Sequence, residues 1–341
     1  MSVADFGKKY DRLYVALLTP YKENFEVDES ALRSFLRYFM QPKFRENVCG
    51  AGIIINAEAG EIFYLTREEK RRNVEIAMEE CGGKVPVFAG AFDLRVDDAI
   101  KVAVDAKEAG ADGLFLYPPQ GALEVTTGWD PDRNPEIWID LAKAQVDATN
   151  LPAITHPATP PTPGFGGALP LNATLEMCRK IPNIVGWKMF QNYVGSVHIA
   201  RALRNLDRHV AILPAMSNLF HENLATGYFD GALSGSFCYA MEPMVDHITA
   251  WKNKDLEEVN RVWKSGLEDL QYYIDETLAR LHIRYKAAAW VRGLIPLPFM
   301  RSPNPWPYRS EVTVIRNLMV KSGLSVIPEK EFNRVIEKLK V

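Results

Sequence analysis

No apolar stretch in this chain approaches the roughly 20 residues that a membrane-spanning helix requires, so the sequence offers no membrane partner. No block of like charge occurs either: 40 Lys+Arg stand against 43 Asp+Glu, for a formal net charge of −3. Such a balance provides neither a basic face for nucleic acid nor a polybasic anchor for an anionic surface. Cysteine is scarce. Cys49, Cys81, Cys178 and Cys238 are scattered, without metal-ligand spacing or the density of a disulfide framework. Free thiols in a reducing, cytoplasmic setting are expected, and no metal. The opening residues Met1–Phe6 lack the basic-then-apolar plan of a signal peptide. No Gly-rich phosphate or dinucleotide fingerprint follows any apolar run, which weakens an open doubly wound fold.

What the chain does have is alternation. Its 341 residues are 47% hydrophobic and 24% charged, ordinary values for a globular protein. Short Val/Ile/Leu-rich runs predict strands near Tyr14–Leu18, Gly52–Ile55, Pro86–Ala89, Gly113–Leu116, Ala153–Thr155, Val185–Met189, Ala211–Leu213 and Ala232–Ser234. Amphipathic segments between them predict helices, among them Glu29–Phe39, Arg67–Glu80, Val96–Ala109 and Pro135–Ala148. Asp28 is a candidate cap for the first, and Thr66-Arg67-Glu68-Glu69 reads as a capping box for the second. Gly110 marks the stop of the third. Eight strands alternating with helices imply an α/β fold, a closed (β/α)8 TIM barrel over residues 1–250. Residues 251–341 read as a C-terminal helical extension with helices over Leu256–Leu281, Tyr285–Leu294, Glu311–Ser322 and Glu329–Leu339. In such a barrel, functional residues lie at the C-terminal strand ends and in the loops that follow.

Lys188 stands at one of those ends, inside the apolar run Ile184-Val185-Gly186-Trp187-Lys188-Met189-Phe190. Lysine is almost never fully buried without a partner. Burial disfavours the ammonium, and the neutral amine is a nucleophile able to form a Schiff base with a carbonyl. The alternatives are a lysine snorkelling from a strand end or a buried ion pair.

Several stretches, in order, are similar to the dihydrodipicolinate synthase and N-acetylneuraminate lyase superfamily of class I pyruvate-type aldolases. They are Ala16–Tyr21, Gly60-Glu61 followed by Leu65–Glu69, Gly110–Gly113, Pro182–Lys188 and Gly231–Gly235. The resemblance implies that Lys188 forms a covalent imine with a 2-oxo acid, without a separate cofactor. It also implies a homodimer or homotetramer. The chain departs from the family in three places. Where the family reads Gly-Thr-Thr-Gly-Glu, this chain reads Ala57-Glu58-Ala59-Gly60-Glu61. Where the family carries a proton-transferring tyrosine, Pro152–Pro157 puts His156. The loop Ala158–Gly167 lacks the arginine that dihydrodipicolinate synthases use, and Tyr117 stands slightly ahead of the expected tyrosine pair.

These readings lead to a Schiff-base lyase, an aldolase or hydro-lyase, whose small-molecule partner is a 2-oxo acid or aldehyde. Lys188, His156 and Glu58 are the candidate catalytic residues. Ala59, Gly60, Tyr117, Ser234, Gly235 and Ser236 are the candidate substrate-binding residues. A carboxylate beside His156 is expected to favour its protonated form. Glu58 facing solvent or an arginine, and His156 satisfied by backbone, remain the structural alternatives. The Ser234-Gly235-Ser236-Phe237-Cys238 stretch is similar to that of aromatic hydratase-aldolases, and with Trp129, Trp187, Phe190 and Phe165 it suggests a bulky or aromatic substituent. The competing functions are a non-catalytic oxo-acid-binding barrel, and a barrel enzyme using Glu58 and His156 without an imine.

Overall fold

The apolar runs become strands buried on both faces, as a parallel sheet covered by helices requires. The computed structural model describes residues 9–340; Met1–Phe6, read above for a leader, lies outside the described residues. The strands are β1 (Leu13–Ala16), β2 (Ala51–Ile55), β3 (Val87–Ala91), β4 (Gly113–Leu116), β5 (Ala153–Thr155), β6 (Ile184–Met189), β7 (Ala211–Pro214) and β8 (Ala232–Ser234). Parallel ladders run in the order β8-β1-β2-β3-β4-β5-β6-β7. The β7–β8 seam is closed differently. Asp230, just ahead of β8, donates its N–H to the Ile212 carbonyl (3.2 Å) and accepts the Ile212 N–H on its carboxylate (2.8 Å). Asp112 makes the same pair of bonds to Val87 ahead of β4, at 2.9 Å each. With this seam, eight parallel strands and surrounding helices make the (β/α)8 barrel.

Helices α1 (Glu29–Phe39), α2 (Arg67–Cys81), α3 (Val96–Glu108), α4 (Glu136–Thr149), α5 (Leu171–Lys180), α6 (Tyr193–Leu203), α7 (Phe220–Ala225) and α8 (Phe237–Lys252) follow the strands in turn. Asp28 caps α1 by accepting the Ala31 N–H, and Thr66 with Glu69 forms the capping box of α2. Gly110 takes φ +93° past the end of α3, a left-handed conformation that costs glycine little.

Three differences from the sequence reading have local causes. Helix α8 was not foreseen because Pro243 lies inside it; the proline cannot bond back, and the helix deforms at Ala240 (φ −130°). The loop Ala158–Gly167 is a hairpin, Ala158–Thr162 against Gly166–Ala168, which admits Pro160 and Pro161 because no inner ladder depends on their N–H groups. The long helix over Leu256–Leu281 is three pieces. Leu256–Val262 runs into a π-helical turn at Trp263–Leu267, where Gly266 takes φ +112°, then Glu268–Asp275 ends before an extended Thr277.

Beyond α8 the chain continues through α9 (Leu256–Val262), α10 (Glu268–Asp275), α11 (Leu281–Val291), α12 (Arg309–Lys321) and α13 (Glu329–Ile336). Helix α11 is buried on nearly all sides. Its Lys286, 0% exposed, pairs with Glu61, 1% exposed, on the loop after β2. Glu61 also accepts the Arg301 N–H (2.8 Å), and the Arg301 side chain pairs with Glu69 (2.5 Å) and bonds the Phe25 and Tyr64 carbonyls. The C-terminal segment is thereby clamped to the loops at the C-terminal end of the barrel. The four cysteines are buried and unpaired. No helix among the described residues is long and apolar enough to cross a membrane.

Candidate active site

Alternation along β6 sends neighbouring side chains to opposite faces. Trp187 points outward onto Trp138, with ring centroids 6.5 Å apart, and Lys188 points inward. Lys188 is 9% exposed, and its Nζ lies 5.9 Å from the Phe115 ring centroid and 5.7 Å from that of Phe190. His156 follows the last residue of β5 and donates its backbone N–H to the Leu116 carbonyl (2.8 Å). Its ring is buried among Phe115, Tyr117 and Phe190. Glu58 comes from the loop after β2. The three side chains converge: Lys188 Nζ is 3.1 Å from His156 Nε2, and that same nitrogen is 2.6 Å from Glu58 Oε2.

A single ring nitrogen cannot give a proton to Glu58 and take one from Lys188 at the same time. His156 Nδ1 is buried with no partner among the described residues. An imidazolium would leave an unsatisfied N–H there, which is costly. The arrangement therefore favours a neutral ring whose Nε2–H donates to the Glu58 carboxylate. Burial, reinforced by the neighbouring Lys188 charge, pushes His156 down to about 4 against the pull of Glu58. The protonated His156 expected from Glu58 alone is thus corrected: desolvation and a second cation outweigh the carboxylate. Burial by itself would raise Glu58, but His156, followed by His282 and Lys188, overcomes it and holds the carboxyl well below the usual carboxylate range. Lys188 is pushed down to about 8 by burial, with Glu58 opposing.

The three groups open onto a cavity of ≈ 290 Å³. Ala59, Ser234 and Gly235 line it. Gly60 does not: its N–H closes a turn onto the Ala57 carbonyl (2.9 Å), and its carbonyl accepts the Thr19 hydroxyl (2.7 Å). Tyr117 sits behind His156, its hydroxyl donating to the Asn56 carbonyl (3.2 Å). Ser236 is one layer down, donating its hydroxyl to Ser234 Oγ (2.8 Å). Of the aromatic residues singled out, Phe190 lines this cavity and Trp129 lines a second one, of ≈ 330 Å³; Trp187 and Phe165 line neither. Ala158 and Thr159, on the hairpin, belong to the walls of both cavities.

Sequence reasoning missed the contribution of α11. His282 and Tyr285 face the main cavity from this helix, one turn from Lys286. Polar His282, Tyr285 and Lys286 at i, i+3 and i+4, with Arg284 among them, in a helix whose other residues are apolar were the available signal. Tyr285 is held by a buried network. Its hydroxyl donates to Asp275 (3.3 Å), which accepts Ser217 Oγ–H (2.8 Å) and the Asn218 N–H (3.1 Å).

Among the described residues, the one cluster with metal-like donor spacing is Asp11, His209 and Asp230, at the N-terminal end of the barrel. Its donors are already engaged. His209 bonds Asp11 (2.7 Å), and the Asp230 oxygens take Arg204 (2.5 Å) and the Ile212 N–H (2.8 Å).

The model of the dihydrodipicolinate synthetase family matches residues 9–307 of the chain. A 4-hydroxy-tetrahydrodipicolinate synthase of Rhodospirillum centenum is 28% identical over 317 residues, covering 91% of this chain and 97% of the relative. Two solved structures share the fold. YagE, a prophage protein of the dihydrodipicolinic acid synthase family from E. coli K12 in complex with pyruvate, superposes with a TM-score of 0.77 at 18% identity, over 93% of this chain and 99% of its own. A catalytic lysine mutant of the Ruminococcus gnavus sialic acid aldolase gives 0.74 at 18% identity, over 94% and 99%.

Proposed function

The chain belongs to the dihydrodipicolinate synthetase family, and on that footing we propose that this lyase of the aldolase class binds a pyruvate-type 2-oxo acid as an imine on Lys188. The observation that carries the reading is a buried lysine whose amine lies 3.1 Å from a buried imidazole. The amine attacks the C2 carbonyl, water leaves, and the resulting iminium draws electrons from the adjacent carbon. His156, backed by Glu58, moves protons at the C2 centre as the carbinolamine forms and collapses. The Ala59 amide and the Ser234–Gly235 turn, on the cavity wall, suit the substrate carboxylate.

Borohydride added to the protein with pyruvate is expected to leave a reduced adduct on the peptide containing Lys188. The rate of trapping follows the neutral amine. With Lys188 lowered to about 8, that fraction grows as pH rises through about 8, well before an ordinary lysine would respond. Absence of an adduct with pyruvate and other 2-oxo acids sinks the imine. A midpoint at the ordinary lysine value removes the role given to burial.

The finer reading concerns the rest of the substrate. The two cavities share Ala158 and Thr159, and the second is walled by prolines and Trp129, with no charged side chain on it. Trp129 is fixed by donating its indole N–H to the Asn134 carbonyl (2.8 Å). This supports a bulky, uncharged or aromatic substituent extending from the imine past Thr159. Trp129→Ala should cost about tenfold in kcat/KM for a phenyl-substituted 4-hydroxy-2-oxo acid relative to its methyl analogue, the order of one lost aromatic contact. Equal losses on both substrates would count against the second cavity as a substituent site.

A further inference from the structure

Five titratable side chains line the main cavity: Glu58, His156, Lys188, His282 and Tyr285. Imine chemistry occupies Lys188, and His156 is committed to Glu58 through Nε2, beside Lys188, while its other nitrogen is buried without a partner among the described residues. Glu58 is held strongly ionised and is a poor proton acceptor; the Tyr285 phenol is raised well above its ordinary value by burial and is a poor donor. Cleavage or formation of a bond next to the imine still needs a proton carrier at the substrate oxygen beyond it.

His282 meets that need by position. It stands on the cavity wall, half-buried, and forms no hydrogen bond to any described residue. Its nearest ring neighbour is Tyr285, with centroids 6.0 Å apart. It comes from α11, outside the barrel strands that carry Lys188 and His156, so it reaches the cavity from another direction. The helix that carries it is fixed by the buried Lys286–Glu61 pair and by the Tyr285–Asp275 bond. A free imidazole on a braced helix is an acid–base group without an internal task.

We propose that His282 is a second catalytic acid–base, exchanging a proton with the oxygen on C4 of the substrate while His156 serves the imine at C2. The assignment rests on the Lys188 imine. In the cleavage direction His282 takes the C4 hydroxyl proton as the C3–C4 bond breaks. The electron pair of that bond moves into the iminium to give an enamine, and C4 leaves as an aldehyde. In condensation the enamine carbon attacks the aldehyde, and His282 returns the proton to its oxygen. The charged and titratable groups facing His282 are Glu58 and Glu61 on the β2 loop, Lys188 on β6, His156 just after β5 and Tyr285 on its own helix. Burial is the largest influence and lowers its pKa, with Glu58 opposing and Lys188 assisting. A neutral ring at pH 7 is the form that accepts the proton.

The test separates the two proton steps. Deuterium uptake at pyruvate C3 in heavy water, followed by NMR, requires the imine and enamine but no C4 oxygen. Condensation of pyruvate with benzaldehyde or glycolaldehyde requires both. His282→Gln and the shape-conserving His282→Phe should keep borohydride trapping and C3 exchange within about twofold of the parent protein. Both should lose about 100-fold or more in condensation, the usual worth of a general acid–base, together with the limb of its pH profile on the acidic side of neutrality, where the lowered His282 value places its ionisation. Condensation unchanged in both variants overturns the assignment, as does loss of C3 exchange in step with condensation. A parent protein that exchanges C3 but condenses pyruvate with neither aldehyde overturns it too, because no C4 proton step then exists. Failure of the imine itself would show separately, as no trapping and no exchange in the parent protein.

Discussion

Lys188→Arg is expected to abolish borohydride-trapped adducts and to lower turnover of any 2-oxo acid substrate by on the order of 10⁴-fold or more, the scale of losing a covalent nucleophile. Arginine keeps the positive charge, but its guanidinium cannot form an imine and stays protonated. The comparison therefore separates covalent chemistry from simple charge. Stability should move the other way in Lys188→Met. The amine is buried against Phe115 and Phe190, and the one side-chain polar atom within hydrogen-bond distance of it among the described residues, His156 Nε2 at 3.1 Å, is already engaged with Glu58. An apolar chain of similar length spares the desolvation that lowers Lys188 to about 8, so the melting temperature should not fall. An Arg variant that turns over at near-parental rate would leave the non-imine reading standing, with Glu58 and His156 doing the chemistry alone.

The second large effect concerns stability. Glu61→Gln leaves Lys286 in a fully buried site without its counter-charge, while keeping an oxygen for the Arg301 N–H. Breaking a buried pair by removing one partner costs about 3–5 kcal/mol, which a denaturant midpoint at pH 7 would register. The pH dependence has a defined sign. Burial already holds Lys286 down to about 8 in the folded protein, with Glu61 opposing. The unfolded chain therefore binds the extra proton over the interval from that value up to the ordinary lysine pKa, and stability rises with pH across it. Without Glu61 the folded-state value drops further, and the interval widens toward neutral pH. Adding Lys286→Met to the variant should recover most of the loss. A single variant as stable as the parent would mean that water reaches the pair.

The barrel was legible because each strand is a short apolar run bounded by turn residues, and the eight expected runs overlap the eight observed strands. Lys188 stood out for the same reason: a charge within such a run has few explanations. The meeting of Glu58 and His156 followed from their places after β2 and β5, since strand ends of a barrel converge. Their protonation did not follow. It depends on how deeply the ring is buried and on a lysine 32 residues further along the chain. His282 was hidden because it approaches from a helix far outside the strand–helix repeat. The sequence marks that helix only as buried, not as belonging to the cavity. The hairpin was hidden by its prolines, which ordinarily speak against strands.

Those prolines matter for self-association. A two-stranded ribbon at the mouth of a barrel has two open rims, each a template on which an extended segment of another chain can lie down. Pro160 and Pro161 have no N–H to offer such a segment. The hydroxyl of Thr159 is turned onto the Pro160 carbonyl (3.0 Å), engaging one acceptor as well. The strand that walls both cavities is thus blunted as a template for cross-strand aggregation, although it stands partly exposed.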